Sequence, residues 1–350
     1  MAASHAWLPT PDLVVLAFRR NLMLETLAYD LRGNHFLLTG ATGFFGQCIL
    51  ALLRDLNRQG FCTEVTIVSR DPAHFLALHP EYGHCDWLHW LRSDIRELRE
   101  WPDKPVDLVL HAATSTSVVA HDQPLELFDT IVEGARRVLD LAVHNGARRI
   151  LFTGSGAQYG RLVPGQPVTE DSPLACDSSQ VGNVYGEAKR AQETLAAIYA
   201  RQYGIETILT RCFAFSGPGL PLDGHFAIGN FVRDALFADE IVVHSSGKAV
   251  RSYLHGADLA IWLLTLLARG DSGQAYNVGS DQAISIADLA RRVGQRLAPH
   301  KPVRILGQPT GLRSYYVPNI DKAHALGLDV WTSLDKSIDS MAAWARLQGK

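Results

Sequence analysis

The stretch His35-Phe36-Leu37-Leu38-Thr39-Gly40-Ala41-Thr42-Gly43-Phe44-Phe45-Gly46 decides the fold of this 350-residue chain. Residues 35–39 are a short apolar run of the buried-strand type, and an amphipathic stretch follows from Gln47 to Arg58. Strand, glycine turn and helix in that order predict a phosphate site, because unpaired N–H groups and the helix dipole both favour an anion at a helix amino terminus. Gly40 allows the tight turn, Gly43 lets the backbone approach a pyrophosphate, and Gly46 permits close packing of helix on strand. Three glycines alone are a weak signal. Their strand-to-helix setting favours dinucleotide binding over a merely structural turn.

Working outward, strands and helices alternate to about Arg211, with further strand runs at Glu64–Ser69, Leu108–Leu110 and Ile150–Thr153. Such alternation predicts a right-handed, parallel, doubly wound sheet. Beyond Pro218 the spacing loosens. Residues 221–226 read as a loop into a helix from Ile228 to Leu236, and Asp258–Leu267, apolar at nearly every position, reads as a buried helix. Ahead of the first strand, Pro11–Asp30 is helix-like with Leu13, Leu16, Leu24 and Leu27 on one face, to be packed on the core or on another subunit. The expected class is α/β: a Rossmann-like doubly wound parallel sheet with a smaller C-terminal substrate-binding domain. Its parts are a helical extension (1–33), a dinucleotide-binding domain (34–211, with returning segments at about 238–280) and a mainly substrate-binding remainder (212–350).

Tyr185 precedes Lys189 by four residues, one helical turn, so phenol and ammonium share a face. A free tyrosine is a poor base near neutral pH, but a cation held nearby favours the phenolate. The pair therefore suggests proton transfer at a hydroxyl or carbonyl. Ser155, just past the strand run 150–153, stands where open α/β sheets place ligands, although serines in glycine-rich loops are usually turn formers.

Together Thr39-Gly40-x-x-Gly43-Phe44-x-Gly46, Ser155 before Tyr159-Gly160, and Tyr185-x-x-x-Lys189 resemble the extended short-chain dehydrogenase/reductases, the NAD-dependent epimerase/dehydratase group. The resemblance runs from about Asn34 to Leu334 and takes in His111-Ala112-Ala113, Asp94-Ile95, Arg211 to Pro218, Arg251 to His255 with Asp258, Tyr276 to Gly279, and Asp321-Lys322 before Leu326-Gly327. It implies a nucleotide-sugar substrate, with hydride passing between a nicotinamide and a sugar carbon. Tyr185 would be the acid/base, Lys189 the ligand of the nicotinamide ribose, and Ser155 the group that orients the sugar oxygen. Cofactor contacts would come from Gly40, Thr42, Gly43, Phe44, Phe45, Gly46, Ser69, Arg70, Asp94, Ile95, His111, Ala112, Ala113 and Phe213. Substrate contacts would come from Ser115, Thr116, Ser155, Gly156, Asn230, Phe231 and Arg251, the last as a planar cation on the phosphates. A homodimer is implied, through helices at about Leu125–Asn145 and Tyr185–Tyr203.

Departures from the family pattern narrow the reaction. Members that dehydrate sugars carry Asp-Glu directly after the Ser/Thr, since eliminating water needs its own acid and base. Here those positions are Gly156 and Ala157, and the glutamate of the sugar-acid decarboxylases is likewise replaced by Ala157. C4 epimerisation or reduction of a ketosugar remains, with dehydratase, decarboxylase and a non-catalytic NADP-binding redox sensor as alternatives. Ser69-Arg70 at the end of the second strand run favours NADP(H), because an arginine accommodates a 2′-phosphate, while Asp71 could swing in for NAD. Asparagines that the resemblance leads one to expect are replaced by Ile131 and Ala214.

Composition agrees: 47% hydrophobic and 20% charged residues support a sizeable core, and a net charge of −3 leaves no nucleic-acid footprint. The pairs Arg19-Arg20, Arg136-Arg137 and Arg148-Arg149 read as solvated ends. No run reaches membrane-spanning length, no signal peptide is expected, and five scattered cysteines without Cys-x-x-Cys suggest reduced cytoplasmic thiols. His84, Cys85 and His89 lack a second ligand cluster, so no metal is expected.

Overall fold

A computed structural model describes residues 22–114, 122–308 and 314–348. Its centre is a seven-stranded parallel sheet of β1 (His35–Thr39), β2 (Glu64–Ser69), β3 (Leu88–Arg92), β4 (Leu108–His111), β5 (Arg149–Ser155), β6 (Glu206–Cys212) and β7 (Ala275–Val278), in the order β7-β6-β5-β4-β1-β2-β3. Strands β1, β4 and β5 are buried throughout, as expected when helices cover both faces of a parallel sheet. The winding reverses between β1 and β4, whose last residues Thr39 and His111 are register partners. In open α/β sheets such a reversal marks the crevice where ligands bind, beyond the carboxyl ends of the strands.

The helices are α1 (Leu22–Leu31), α2 (Phe44–Arg58), α3 (Pro72–Leu78), α4 (Pro124–His144), α5 (Val184–Tyr203), α6 (Ala227–Phe237), α7 (Gly256–Arg269), α8 (Ile286–Leu297), α9 (Asp321–His324) and α10 (Leu334–Leu347). On one face of the sheet α2 and α7 join a core with Phe36, Leu38, Val65, Leu110 and Leu151. On the other, Ala135, Val138 and Leu139 of α4 and Ala196 and Tyr199 of α5 pack on Leu37, Val109 and Ile150. The alternation of side chains along each strand sorts these residues between the two cores. A separate core unites α6, α8 and α10 with Ile241 and Val243 in a smaller C-terminal lobe.

The buried helix expected at 258–267 is α7, buried along almost its whole length. Helix α1 lies on the same chain's core, with Leu24, Leu27, Ala28 and Leu31 buried and Asp30 paired to Arg269. Leu13 and Leu16 lie outside the described residues. Two expectations are corrected. The segment returning to the sheet consists of α7 and β7, while Ile241–Val243 pairs with Val303–Ile305 in the smaller lobe. Arg149 is no solvated strand end: it is buried, donates to the carbonyls of Ala268 and Gly270, and pairs with Glu206 at 2.9 Å, joining β5 to the end of α7. Among the described residues no helix is long and apolar enough to cross a membrane.

Candidate active site

The three glycines of the turn differ in their surroundings. Gly40 has φ +73°, and a Cβ there would lie 2.4 Å from the Ala112 carbonyl oxygen. A Cβ on Gly46 would lie 2.2 Å from Ala41 Cα, so only glycine lets α2 sit this close to the turn. Gly43 differs: a Cβ would meet only the Gly40 oxygen, at 3.6 Å, leaving open room above the helix end. Gly43 is the N-cap of α2 and no side chain caps that end, a cradle suited to a diphosphate. Phe44 and Phe45 point into the cores, Phe45 making a T-shaped contact with Phe215 at 4.8 Å, so what they offer a cofactor is backbone N–H. Exposed Thr42 has its carbonyl tied to Gln47 Nε2 at 2.6 Å.

The floor of the crevice is Thr39 with His111, Ala112 and Ala113. Thr39 Oγ1 accepts from the N–H groups of Ala112 and Ala113 at 3.2 Å each, and so donates to His111 Nδ1 at 2.9 Å. That assignment puts the imidazole proton on Nε2. Burial, with Lys189 nearby, holds His111 down at about 3, so the ring is neutral.

At the far end, Ser69 closes β2 and Arg70 is exposed. Asp71 is already engaged, its carboxylate accepting from His74 N at 3.0 Å as the N-cap of α3. Asp94 accepts from Arg96 N at 2.9 Å and Arg96 Nε at 3.0 Å, which holds its carboxyl below the usual range. Ile95 is buried beneath α4, where a Cβ on Gly134 would come within 2.9 Å of its Cγ2.

Ser155, Tyr185 and Lys189 converge at the carboxyl end of β5. The Ser155 hydroxyl accepts from Ala157 N at 3.1 Å and hydrogen-bonds the Tyr185 phenol. Lys189 is 1% exposed, and its Nζ donates to the Thr153 carbonyl at 2.7 Å, Thr114 Oγ1 at 2.9 Å and Gln192 Oε1 at 3.3 Å. Burial drags the ammonium down to about 8. One expectation fails. The phenol of Tyr185 is pushed up to about 12 instead of being lowered, because burial outweighs the hydrogen bond from Ser155 and the donors of Lys189 are directed to other acceptors.

Tyr316 completes the cluster and had no sequence signal, since it arrives from a two-residue strand, Tyr315–Tyr316, lying parallel to Val250–Arg251. Its hydroxyl is 3.5 Å from Ser155 Oγ and donates to the Cys212 carbonyl at 3.3 Å. Gly156 is thereby explained: a Cβ there would meet the Tyr316 hydroxyl at 2.9 Å and Phe213 Cζ at 2.8 Å. Phe213 itself is packed 4.6 Å from the Tyr316 ring. Arg251 lies over that ring, 5.7 Å from its centroid, and donates to Val250 O at 2.8 Å and Ser314 Oγ at 3.2 Å. Two expected substrate contacts are engaged elsewhere: Asn230 donates to the Gly224 carbonyl at 3.0 Å, and Phe231, 3% exposed, belongs to the C-terminal core. Ser115 and Thr116 lie outside the described residues.

The chain resembles known proteins in sequence and in fold. The chain is 28% identical over 320 residues to UDP-glucuronic acid decarboxylase 6 of Arabidopsis thaliana, covering 89% of each. It is also 28% identical over 342 residues to the UDP-glucose 4-epimerase of Streptococcus mutans, covering 88% of this chain and 96% of that one. Among solved structures, the Thermotoga maritima UDP-glucose 4-epimerase with UDP-glucose shares the fold at a TM-score of 0.76 and 20% identity, over 90% of this chain and all of that one. The model of the NAD dependent epimerase/dehydratase family matches residues 36–279, and the chain belongs to that family.

Proposed function

We propose that this protein is a nucleotide-sugar oxidoreductase acting at C4 of the sugar, as a ketoreductase or an epimerase. The observation that carries the reading is the pair of hydroxyls on Ser155 and Tyr185 at the carboxyl end of β5, followed by two residues, Gly156 and Ala157, that bear no acid. Ser155 orients a sugar hydroxyl or ketone, and Tyr185 moves the proton to or from that oxygen. Lys189, tied to Thr153 and Thr114, adds positive charge to the same corner. A nicotinamide cofactor, held by the Gly40–Gly46 cradle beside the Lys189 ammonium, supplies hydride transfer when bound. Elimination of water needs a further acid and base, and Tyr316 and Phe213 fill the space that a side chain at position 156 would need. Decarboxylation, named for some relatives, stays the second reading, less favoured because Ala157 stands where the family resemblance leads one to expect a glutamate in sugar-acid decarboxylases.

NADP(H) is the preferred cofactor in this reading. Arg70 is exposed beyond β2, Arg92 pairs in register with Ser69, and Asp71 is engaged as a helix cap, an arrangement that suits a 2′-phosphate on the adenosine ribose. The protein also pairs as a homodimer through α4 and α5. To test the function, the purified protein is given ordinary and 4-keto nucleotide hexoses while reduced-nicotinamide absorbance and sugar products are followed. Stoichiometric NADPH loss with a ketosugar identifies a reductase, and interconversion of C4 epimers without net change identifies an epimerase. Release of carbon dioxide, or a dehydrated product, overturns the proposal.

A further inference from the structure

We propose that Gln192 is a positioning residue for Lys189, its buried side-chain amide being the third acceptor that holds the ammonium against the carboxyl end of β5. An ammonium has three donors and no acceptor. On Lys189 these go to the Thr153 carbonyl (2.7 Å), the Thr114 hydroxyl (2.9 Å) and Gln192 Oε1 (3.3 Å), so β5, the segment after β4 and α5 itself each contribute one oxygen. Only the amide oxygen can face a group that solely donates, which fixes the orientation of the amide.

Packing does not account for a glutamine here. Gln192 is fully buried and its amide nitrogen has no hydrogen-bond partner among the described residues. A half-satisfied buried amide opposes folding, and an unbranched apolar side chain of the same length would fill the space without that penalty. What glutamine adds is a dipole aimed at a cation that burial otherwise discharges. Position 131 does not supply one, being an isoleucine buried against Leu127 and Ala188 between α4 and α5.

Among the described residues, the titratable groups that face Lys189 are His111 on β4, Cys212 at the end of β6 and Tyr185 on its own helix. With His111 held at about 3, Cys212 raised to about 12 and Tyr185 to about 12, all three are uncharged from mildly acidic to mildly alkaline pH. Within that window Lys189 is the member of the cluster that titrates.

The influence of Gln192 on turnover rests on the proposed reaction, but its hold on Lys189 is measurable without substrate. In full-length protein labelled with carbon-13 at the lysine ε-carbons, the Lys189 resonance, assigned by its loss in Lys189→Met, is titrated in wild type, Gln192→Met and Gln192→Glu. The expected midpoint falls by about half a unit or more when the dipole is removed, and rises when a carboxylate replaces it. The alkaline limb of kcat should move in the same two directions, with KM for the sugar changed less than about twofold. Midpoints that coincide in all three proteins overturn the proposal. So does an activity loss that is uniform across pH. Should Gln192→Met not fold, the upward shift in Gln192→Glu decides, and a protein that turns over no nucleotide sugar but shows the shifts refutes the function while sustaining the role of Gln192.

Discussion

Tyr185 at about 12 and Lys189 at about 8 mean that near neutral pH the site holds a protonated phenol beside a largely protonated lysine. Removing the hydroxyl in Tyr185→Phe should lower kcat by about 10²–10⁴-fold while leaving cofactor binding nearly unchanged, as checked by steady-state kinetics and cofactor titration. Arg70→Ala should raise KM for NADPH about tenfold and leave that for NADH nearly unchanged, since one charge-assisted phosphate contact is worth about 1.5–3 kcal/mol or less when exposed. Equal effects on both cofactors would refute the 2′-phosphate role of Arg70. The spacing of Tyr185, Lys189 and Ser155 was legible because a single turn of helix and a single strand end place each side chain. Tyr316, Thr114 and Gln192 were not, because distant segments or a buried face bring them in, and no local period marks either.

At the scale of elements, the turn before α2 separates packing from binding. Gly46→Ala drives a Cβ to 2.2 Å from Ala41 Cα and should lower Tm by several degrees, whereas Gly43→Ala has room and should keep the Tm while weakening cofactor binding. Thermal melts with and without nicotinamide dinucleotide separate the two. A second element-scale prediction concerns Asp258 in the first turn of α7, which accepts from Thr332 N at 2.8 Å and Thr332 Oγ1 at 3.0 Å and so pins the start of α10. Burial raises its carboxyl from 3.8 to about 7. The folded state therefore binds a proton that the unfolded chain has released between these values. This contribution to stability is complete below about pH 4 and is lost as pH rises through 7, a difference of about 2–4 kcal/mol. Asp258→Asn, neutral throughout, should flatten the dependence of Tm on pH across this range. An unchanged slope would show that the decline has another source. The sequence marks α7 as buried from its unbroken apolar run, yet it does not reveal which carboxylate the burial would trap.

For the whole molecule, α4 and α5 lie side by side on one face of the sheet, and each leaves large apolar side chains outside: Leu125 is 80% exposed, Ile198 42% and Tyr203 58%. Pairing of these helices between two copies would cover them. Sedimentation should show a dimer, converted to monomer by Ile198→Glu with the fold intact by circular dichroism. A wild-type monomer at micromolar concentration would refute that assembly. The sequence by itself determined the parallel doubly wound sheet, the glycine turn ahead of α2 and the placing of Tyr185 and Lys189 one helical turn apart, because strand burial, glycine geometry and helical period act over a few neighbouring residues. Only the tertiary structure decided that burial lifts the phenol instead of letting the lysine lower it, that Tyr316 takes up the space beside Gly156, and that Asp71 is engaged as a helix cap. Desolvation and the pairing of donors with acceptors depend on everything within a few ångströms, and most of those neighbours are far away along the chain.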